Sequence, residues 1–280
     1  MHKNRLDVFR VKRRKKYFPR IWLILLLIVI IAIFFKSPPI TEEAEVNPSE
    51  KTETQSKVAD VTDIIQTFAR QNNLQSDEWP GDLIEAFRKN PEMESYVLNY
   101  PLKKEKDFEI DISNSGYKED VPLFMQWDER WGYNQYAGEL MGLSGCGPTC
   151  LSMVCTYLLQ DDTYNPEYVA EFAENNGYSS PGNGSAWTLI SDGGEELGLD
   201  VTEIPLNEDR IISNLEVGNP IICIMGAGDF TSTGHFIVLT EYTDGKVRVN
   251  DPYSKSRSEK LWELSDIMEQ VDNLWVCRRQ

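Results

Sequence analysis

Histidine is scarce in this sequence, and its scarcity argues against a metal-binding function. The 280 residues contain two histidines, His2 and His235, and five cysteines whose spacing matches no zinc site. We therefore expect no bound metal. No phosphate-binding loop of the form GxxxxGK followed by Ser or Thr occurs. The sequence thus predicts no ATP-driven activity of its own and indicates no cofactor.

Basic residues are also scarce outside the N-terminus. Residues 1–36 carry ten of the 28 Lys and Arg residues and one of the 45 acidic residues. Residues 37–280 therefore hold 18 basic against 44 acidic residues, a formal charge of −26. A segment with this much negative charge repels the phosphate backbone of nucleic acids, so we expect no nucleic-acid partner.

The longest apolar run, at 21–35 (IWLILLLIVIIAIFF), follows the basic residues. It is short for a spanning helix, which needs roughly 17–25 residues, but Tyr17 and Phe18 can extend it at the interface. No small-x-small cleavage pattern follows, which favours an uncleaved signal anchor at 21–36 over a cleaved signal peptide. The basic tail, 1–20, is then expected in the cytoplasm, and residues 37–280 are expected outside the cell membrane.

Three further regions follow the expected anchor. Residues 37–57 are polar and contain prolines, which is typical of a flexible stalk. A helical segment and connector are predicted over 58–118, with helix starts at 76–78 (SDE) and 90–92 (NPE). The amphipathic stripes favour burial against the main domain over a separate partner-binding role.

The main domain is predicted over 119–280 and belongs to the α+β class. A helix follows Cys146, and short apolar runs come after it, which is typical of an antiparallel sheet. These runs occupy 201–204, 220–225, 235–242, 246–250 and 273–277. Asp244-Gly245 predicts a two-residue hairpin turn between the third and fourth runs.

Cys146 has the sequence setting of a reactive thiol. It lies in 144–149 (SGCGPT), where Pro148 suits the first turn of a helix. A helix N-terminus favours the thiolate and lowers the thiol pKa. Gly145 and Gly147 are predicted to leave room for a substrate. Cys150 and Cys155 lie within the helix and are predicted to be small core residues, whereas a bridge between the remaining two, Cys223 and Cys277, is left open.

A thiolate nucleophile works with a base, and His235 is the one histidine outside the cytoplasmic tail. It follows Gly234 at the start of an apolar strand. The group that orients the imidazole should come from the end of the next strand. A regular hairpin places Asn250 on the face of His235, whereas a bulge or the bend at Pro252 places Asp251 there. Hairpin geometry leaves both residues open.

An oxyanion hole needs hydrogen-bond donors beside the nucleophile. The backbone N–H of Cys146 is one candidate, and the side-chain amide of Gln126 is the second, with Gln135 as its rival. The loops 179–187 and 226–234 are expected to border the cleft. Trp187 is expected either to contact a substrate there or to lie in the core.

Several motifs in 121–255 together resemble the papain-like cysteine peptidases that process double-glycine leaders, in their stand-alone bacterial form. The matching pieces are VPLFMQWDERWG, SGCGPTCLSMV, GNGSAWTLI, LEVGNPIICIM, GHFIVLTEY and VNDPYS. This resemblance implies a papain-like fold with Cys146 as nucleophile, His235 as general base, Asp251 as the orienting acid and Gln126 as oxyanion donor.

Three functions are compatible with these residues. The first is a membrane-anchored, extracytoplasmic cysteine peptidase acting on a peptide or protein at the cell surface. The second is a transpeptidase or amidase that uses the same triad, because an amine can replace water in resolving an acyl-enzyme. The third is a catalytically silent peptide-binding module, although a pure binder has no chemical need for a low-pKa thiol.

Overall fold

The computed structural model describes residues 61–280. The expected cytoplasmic tail, signal anchor and stalk lie outside the described residues, as does the start of the helical segment. Within 61–280, no helix combines the length and apolar character that crossing a membrane requires.

The described chain forms one compact unit with ten α-helices and ten β-strands. The helices are α1 (61–72), α2 (Gly81–Lys89), α3 (Glu94–Lys103), α4 (Met141–Ser144), α5 (Cys146–Leu159), α6 (Pro166–Asn175), α7 (Gly194–Glu196), α8 (Glu208–Leu215), α9 (Lys255–Glu259) and α10 (Leu264–Met268). The strands are β1 (Gln135–Tyr136), β2 (Glu139–Leu140), β3 (Ser179–Ser180), β4 (Gly184–Ser185), β5 (Leu199–Glu203), β6 (Ile221–Met225), β7 (His235–Thr243), β8 (Lys246–Asn250), β9 (Leu261–Glu263) and β10 (Val271–Arg279).

A six-stranded antiparallel sheet forms the centre of the domain, in the order β5-β10-β6-β7-β8-β9. Its five longer strands coincide with the five apolar runs of the sequence, and the predicted α+β class is confirmed. The short strand β9 was not predicted, because three residues with one buried side chain give no periodic signal.

The sheet separates two apolar clusters, since successive side chains of a strand point to opposite faces. Ile222 and Phe236 pack on one side with α5 and α6. Ile221 and Ile237 pack on the other side with α8 and α10. Helix α5 is buried along most of its length, from Gly147 to Thr156, which explains its continuous apolar sequence.

All five cysteines are free. Cys223 pairs across strands with Leu274, and its side chain joins the cluster on the α8 side of the sheet. Cys277 lies three residues from Leu274 on β10, so its side chain points to the opposite face of the sheet and joins the cluster on the α5 side. A bridge between these two cysteines would have to cross the sheet, so the geometry excludes it. Cys150 and Cys155 are core residues of α5, as predicted.

The helical segment packs against the main domain, as the amphipathic stripes indicate. Its apolar residues share a cluster with Met125, Trp127 and Tyr133. One predicted helix start is wrong: residues 76–78 form a separate 3₁₀ turn, and α2 begins at Gly81. The residue before a proline avoids the helical region, and Trp79 is accordingly extended before Pro80.

Leu83→Ala should therefore destabilise the whole domain and not the helical segment alone. Leu83 is 0% exposed, so its truncation should lower the free energy of unfolding by about 2–5 kcal/mol. Chemical denaturation followed by tryptophan fluorescence would measure this, with Leu102→Ala, at a 38% exposed position, as the control. Separate unfolding transitions for the segment and the sheet would contradict a single cooperative unit.

Candidate active site

The N-terminus of α5 presents Cys146 at the surface of the domain. Helix α5 begins at Cys146, with Gly145 before it and Pro148 in the first turn. The nearby backbone N–H groups of Phe236 and Gly147 help to lower the pKa of the Cys146 thiol. Cys146 is partly exposed, whereas the other four cysteines are buried. A reagent in solvent can therefore reach this thiol before the others.

His235 lies between Cys146 and Asp251 at the first position of β7. Its Nε2 is 2.8 Å from Asp251 Oδ1, and both side chains are buried. The imidazole is also next to the Cys146 thiol and lowers its pKa. Because Nε2 is hydrogen-bonded to Asp251, Nδ1 is the ring nitrogen left to exchange a proton with the Cys146 thiol.

A bulge in the β7–β8 hairpin decides which residue orients His235. The predicted Asp244-Gly245 turn has φ of 50° and 85°, and it pairs Tyr242 with Val247, as a two-residue turn requires. The register then shifts between Leu239 and Glu241, so that Val238 and not Leu239 is opposite Asn250. One extra residue on β7 exchanges the two faces of β8 relative to His235.

Asp251, not Asn250, consequently faces the imidazole. The Asn250 amide instead donates to the carbonyl oxygens of Val121 and Pro122, at 3.0 and 3.1 Å. These hydrogen bonds attach the end of β8 to the segment at 121–122, near the start of the main domain. The hairpin argument left both residues open, and the structure brings only Asp251 to the ring.

The Asp251 carboxylate is 0% exposed and is satisfied on both oxygens. Oδ1 accepts from the Tyr253 N–H at 2.8 Å in addition to His235, and Oδ2 accepts from Arg257 Nε at 2.5 Å. Burial alone would raise the pKa of Asp251. The positive charges of His235 and Arg257, with these hydrogen bonds, outweigh burial and lower it. Asp251 is therefore ionised.

The same interactions shift the two reacting groups in opposite directions. For the Cys146 thiol, burial acts to raise the pKa, but the hydrogen bond and positive charge of His235 and the two backbone N–H groups lower it. For His235, burial acts to lower the pKa, but the charge and hydrogen bond of Asp251, with those of Cys146, raise it to about 9. Both shifts favour the thiolate–imidazolium form of the pair over the neutral form.

Gln126 is held beside the segment that leads into α5. Its Nε2 donates to the Gly142 carbonyl at 3.0 Å, and its side chain is buried, with Oε1 unpaired. Its backbone N–H donates to Pro252 O at 2.8 Å, next to Asp251. The rival, Gln135, is exposed in β1 and lines a different groove.

An open cleft of about 450 Å³ lies over Cys146 and His235. The loop at 182–187 and residues 233–234 border it, as expected from the sequence. Trp187 is 47% exposed and rests edge-on against Trp275, with 5.9 Å between ring centroids. It therefore faces the cleft and is not a core residue.

The predicted substrate-contacting glycines differ in their environments. Gly234 is exposed and lines the cleft. Gly145 and Gly147 are buried, and neither lines it. A Cβ at Gly145 would overlap Met141, and one at Gly147 would overlap Ser185. These two glycines allow close packing around the start of α5, and the expected substrate contact is not seen.

Sequence reasoning missed two groups that contact the site. Arg257 reaches Asp251 from the short helix α9, and no motif marks an arginine six residues after an acid. The Tyr136 hydroxyl hydrogen-bonds Ser185 Oγ at 2.6 Å, and Ser185 lines the cleft next to Cys146. Ser185 lies within the loop that the sequence singled out, whereas Tyr136 gave no signal.

The part of the chain that the structure describes holds no cluster of His, Cys, Asp and Glu suited to a metal ion. An antiparallel α+β domain with a helix-borne cysteine, a histidine and a buried carboxylate defines a domain of the cysteine-peptidase type. The family model described as "Peptidase_C39 like family" matches residues 118–280, and the chain belongs to that family.

The solved structures to which the chain is similar include the following two, whereas no curated protein matches it. One is the peptidase domain of Streptococcus ComA, a bi-functional ABC transporter involved in a quorum-sensing pathway. It is 17% identical with a TM-score of 0.38, over 49% of this chain and 93% of that one. The other is a candidate C39-like peptidase from Bacillus anthracis, 15% identical with a TM-score of 0.40, over 62% of this chain and 99% of that one.

The opposed pKa shifts predict how Cys146 reacts as the pH changes. Its thiolate should persist well below the ordinary thiol pKa, so alkylation by iodoacetamide should already be fast at pH 6, where an unperturbed thiol is only about 0.3% ionised. Peptide mapping by mass spectrometry should find the label on Cys146 and not on the four buried cysteines.

Any hydrolysis at this site that uses the His235 imidazolium as its acid should decline as the pH rises through about 9, because His235 loses its proton there. Alkylation should not decline there, since the thiolate remains. His235→Ala is the control and should move the onset of alkylation toward an ordinary thiol pKa, about 8.5. Identical profiles for the two proteins would contradict the ion pair.

Proposed function

We propose that this protein is a cysteine peptidase, anchored in the cell membrane by 21–36, that hydrolyses peptide bonds of a peptide or protein at the cell surface. The observation that carries the catalytic part is the Cys146–His235–Asp251 arrangement at the floor of an open cleft. A structural histidine needs no partly exposed thiolate beside it, whereas nucleophilic catalysis requires one.

The reaction would proceed through an acyl-enzyme. The Cys146 thiolate attacks the scissile carbonyl carbon, and the imidazolium of His235 protonates the leaving amine as the C–N bond breaks. His235, now neutral, removes a proton from water, which attacks the thioester and regenerates the thiolate. Asp251 remains ionised throughout the cycle. It stabilises His235 whenever the ring is protonated, before the leaving amine departs and again after water is deprotonated.

Gln126 would complete the oxyanion hole with the N–H of Cys146. One amide hydrogen of Nε2 is engaged by Gly142 O, which fixes the side chain, and the second hydrogen remains for a substrate oxygen. A fixed donor costs no reorganisation when negative charge develops on the carbonyl oxygen. The buried position of Gln126 supports this role, because nearby water would weaken its effect on the developing charge.

The cleft supports an extended peptide as substrate. It is open to solvent and is bordered by loops on both sides of Cys146, with Trp187 and Gly234 as the expected substrate contacts. An exposed aromatic ring offers apolar area to a side chain, while glycine leaves room for a peptide backbone to approach.

The membrane anchor rests on the apolar run at 21–35 and the basic residues before it. Fractionation of cells into membrane and soluble parts, followed by protease treatment of intact spheroplasts, tests it. We expect the protein in the membrane fraction and its C-terminal domain accessible from outside. A domain that is protected until the cells are lysed would reverse the orientation.

Activity-based labelling of the full-length chain with a peptidyl electrophile tests the catalytic assignment. Wild type should be labelled at Cys146, Cys146→Ala should not be labelled, and His235→Ala and Asp251→Ala should be labelled slowly. A folded wild-type protein whose Cys146 is inert would sink the peptidase proposal and favour a silent binding module. Products of an added amine acceptor would instead identify a transpeptidase.

Gln126→Ala separates the oxyanion hole from the nucleophile. Hydrolysis of an activated p-nitrophenyl ester should fall by about 10²–10³-fold, the usual loss for one oxyanion donor. Alkylation by iodoacetamide should remain close to the wild-type rate, because that reaction forms no oxyanion. Gln135→Ala is the matched control and should leave both rates unchanged. Equal loss in the two Gln variants would contradict the assignment.

A further inference from the structure

The loop that follows Asp251 is held by residues from the helical segment, far away in the sequence. The Asn90 side chain donates from Nδ2 to the Tyr253 carbonyl at 2.7 Å. The same carbonyl accepts from Trp127 Nε1 at 2.8 Å. Asn90 is buried, so this bond is shielded from water and fixes the path of the chain two residues beyond Asp251.

Glu92 binds the next three residues, which are the N-cap of α9 and the first two residues of that helix. Its Oε2 accepts from the Lys255 N–H at 2.6 Å, and its Oε1 accepts from the Ser256 N–H and from Ser254 Oγ, both at 3.1 Å. Partial burial acts to raise the pKa of Glu92, but these hydrogen bonds lower it. The carboxylate is therefore ionised, and its hydrogen bonds are of the stronger, charge-assisted kind.

Both ends of the segment 253–257, which comprises the end of the loop and the first turn of α9, contact Asp251 itself. The Tyr253 N–H donates to Oδ1, the oxygen that also binds His235, and Arg257 Nε donates to Oδ2. Tyr253 and Arg257 thus contact the carboxylate, while Asn90 binds Tyr253 and Glu92 binds the three residues that follow it. A shift of the loop would move the Asp251 carboxylate and, through it, the imidazole.

We propose that Asn90 and Glu92 are positioning residues for the Asp251–His235 pair, so that the helical segment is part of the catalytic unit. This inference rests on the proposed function. The family match begins at residue 118, so the assignment gives a role to a region that the match does not cover. Neither residue touches the cleft, and both act through the loop.

Glu92→Gln in the full-length chain tests the inference, with Glu94→Gln as the matched control. Glu94 is exposed and only two residues away, and no hydrogen bond joins it to the loop. In Glu92→Gln, the side-chain NH₂ replaces one carboxylate oxygen and meets the N–H and O–H groups of 254–256, which are themselves donors. At least one of these hydrogen bonds is therefore lost. We expect iodoacetamide to alkylate Cys146 about tenfold more slowly at pH 6, with the onset of alkylation moved to higher pH.

A double-mutant cycle separates positioning from general stability. If Glu92 acts through Asp251, Glu92→Gln should slow alkylation in the wild-type background and have no further effect in Asp251→Asn. An equal effect in both backgrounds would overturn the proposal, as would a wild-type rate in Glu92→Gln. Glu92→Asp keeps the charge and replaces Glu92→Gln in the cycle if that variant does not fold.

The outcomes also distinguish this inference from the proposed function. A wild-type Cys146 that reacts no faster than free cysteine at pH 6 would contradict the peptidase assignment and, with it, the positioning role. A fast wild type with an unaffected Glu92→Gln would overturn the positioning role alone.

Discussion

The hydrogen bond between His235 and Asp251 is the interaction on which the rest of the site depends. A buried carboxylate is costly unless its oxygens are satisfied, and here a histidine, an arginine and a backbone N–H satisfy them. Asp251 does more than any other group to raise the pKa of His235, which burial acts to lower. Without Asp251 that pKa would fall, and the imidazolium that lowers the pKa of Cys146 would be less populated.

Burial and charge oppose each other at every member of the site. Desolvation disfavours the thiolate, the imidazolium and the carboxylate alike, and each is nevertheless the favoured form because the next group in the chain compensates. Such mutual compensation requires opposite charges within about 4–6 Å of one another. This requirement explains why so much structure surrounds Asp251, including Arg257 and the loop bound by Asn90 and Glu92.

Much of this arrangement could be predicted from local sequence. The Gly-Cys-Gly-Pro helix start identified Cys146, the shortage of histidine left His235 as its partner, and apolar runs located the main strands. Helix starts were less secure: the 76–78 turn and α2 are separate because Pro80 keeps Trp79 extended. Arg257 was not predicted, since nothing near an isolated arginine in sequence reveals which carboxylate it will meet.

The sequence by itself singled out Cys146 and His235 as the candidate pair and predicted the α+β class and the turn at Asp244-Gly245, because these depend on residue type and short-range pattern. Only the tertiary structure showed that Asp251 and not Asn250 meets His235, that Gln126 is buried whereas Gln135 is exposed, and that the helical segment contacts the residues after Asp251. The physical reason is that strand register and long-range packing are cooperative. One extra residue near Thr240 exchanges the two faces of a strand, and no local pattern in the sequence records it.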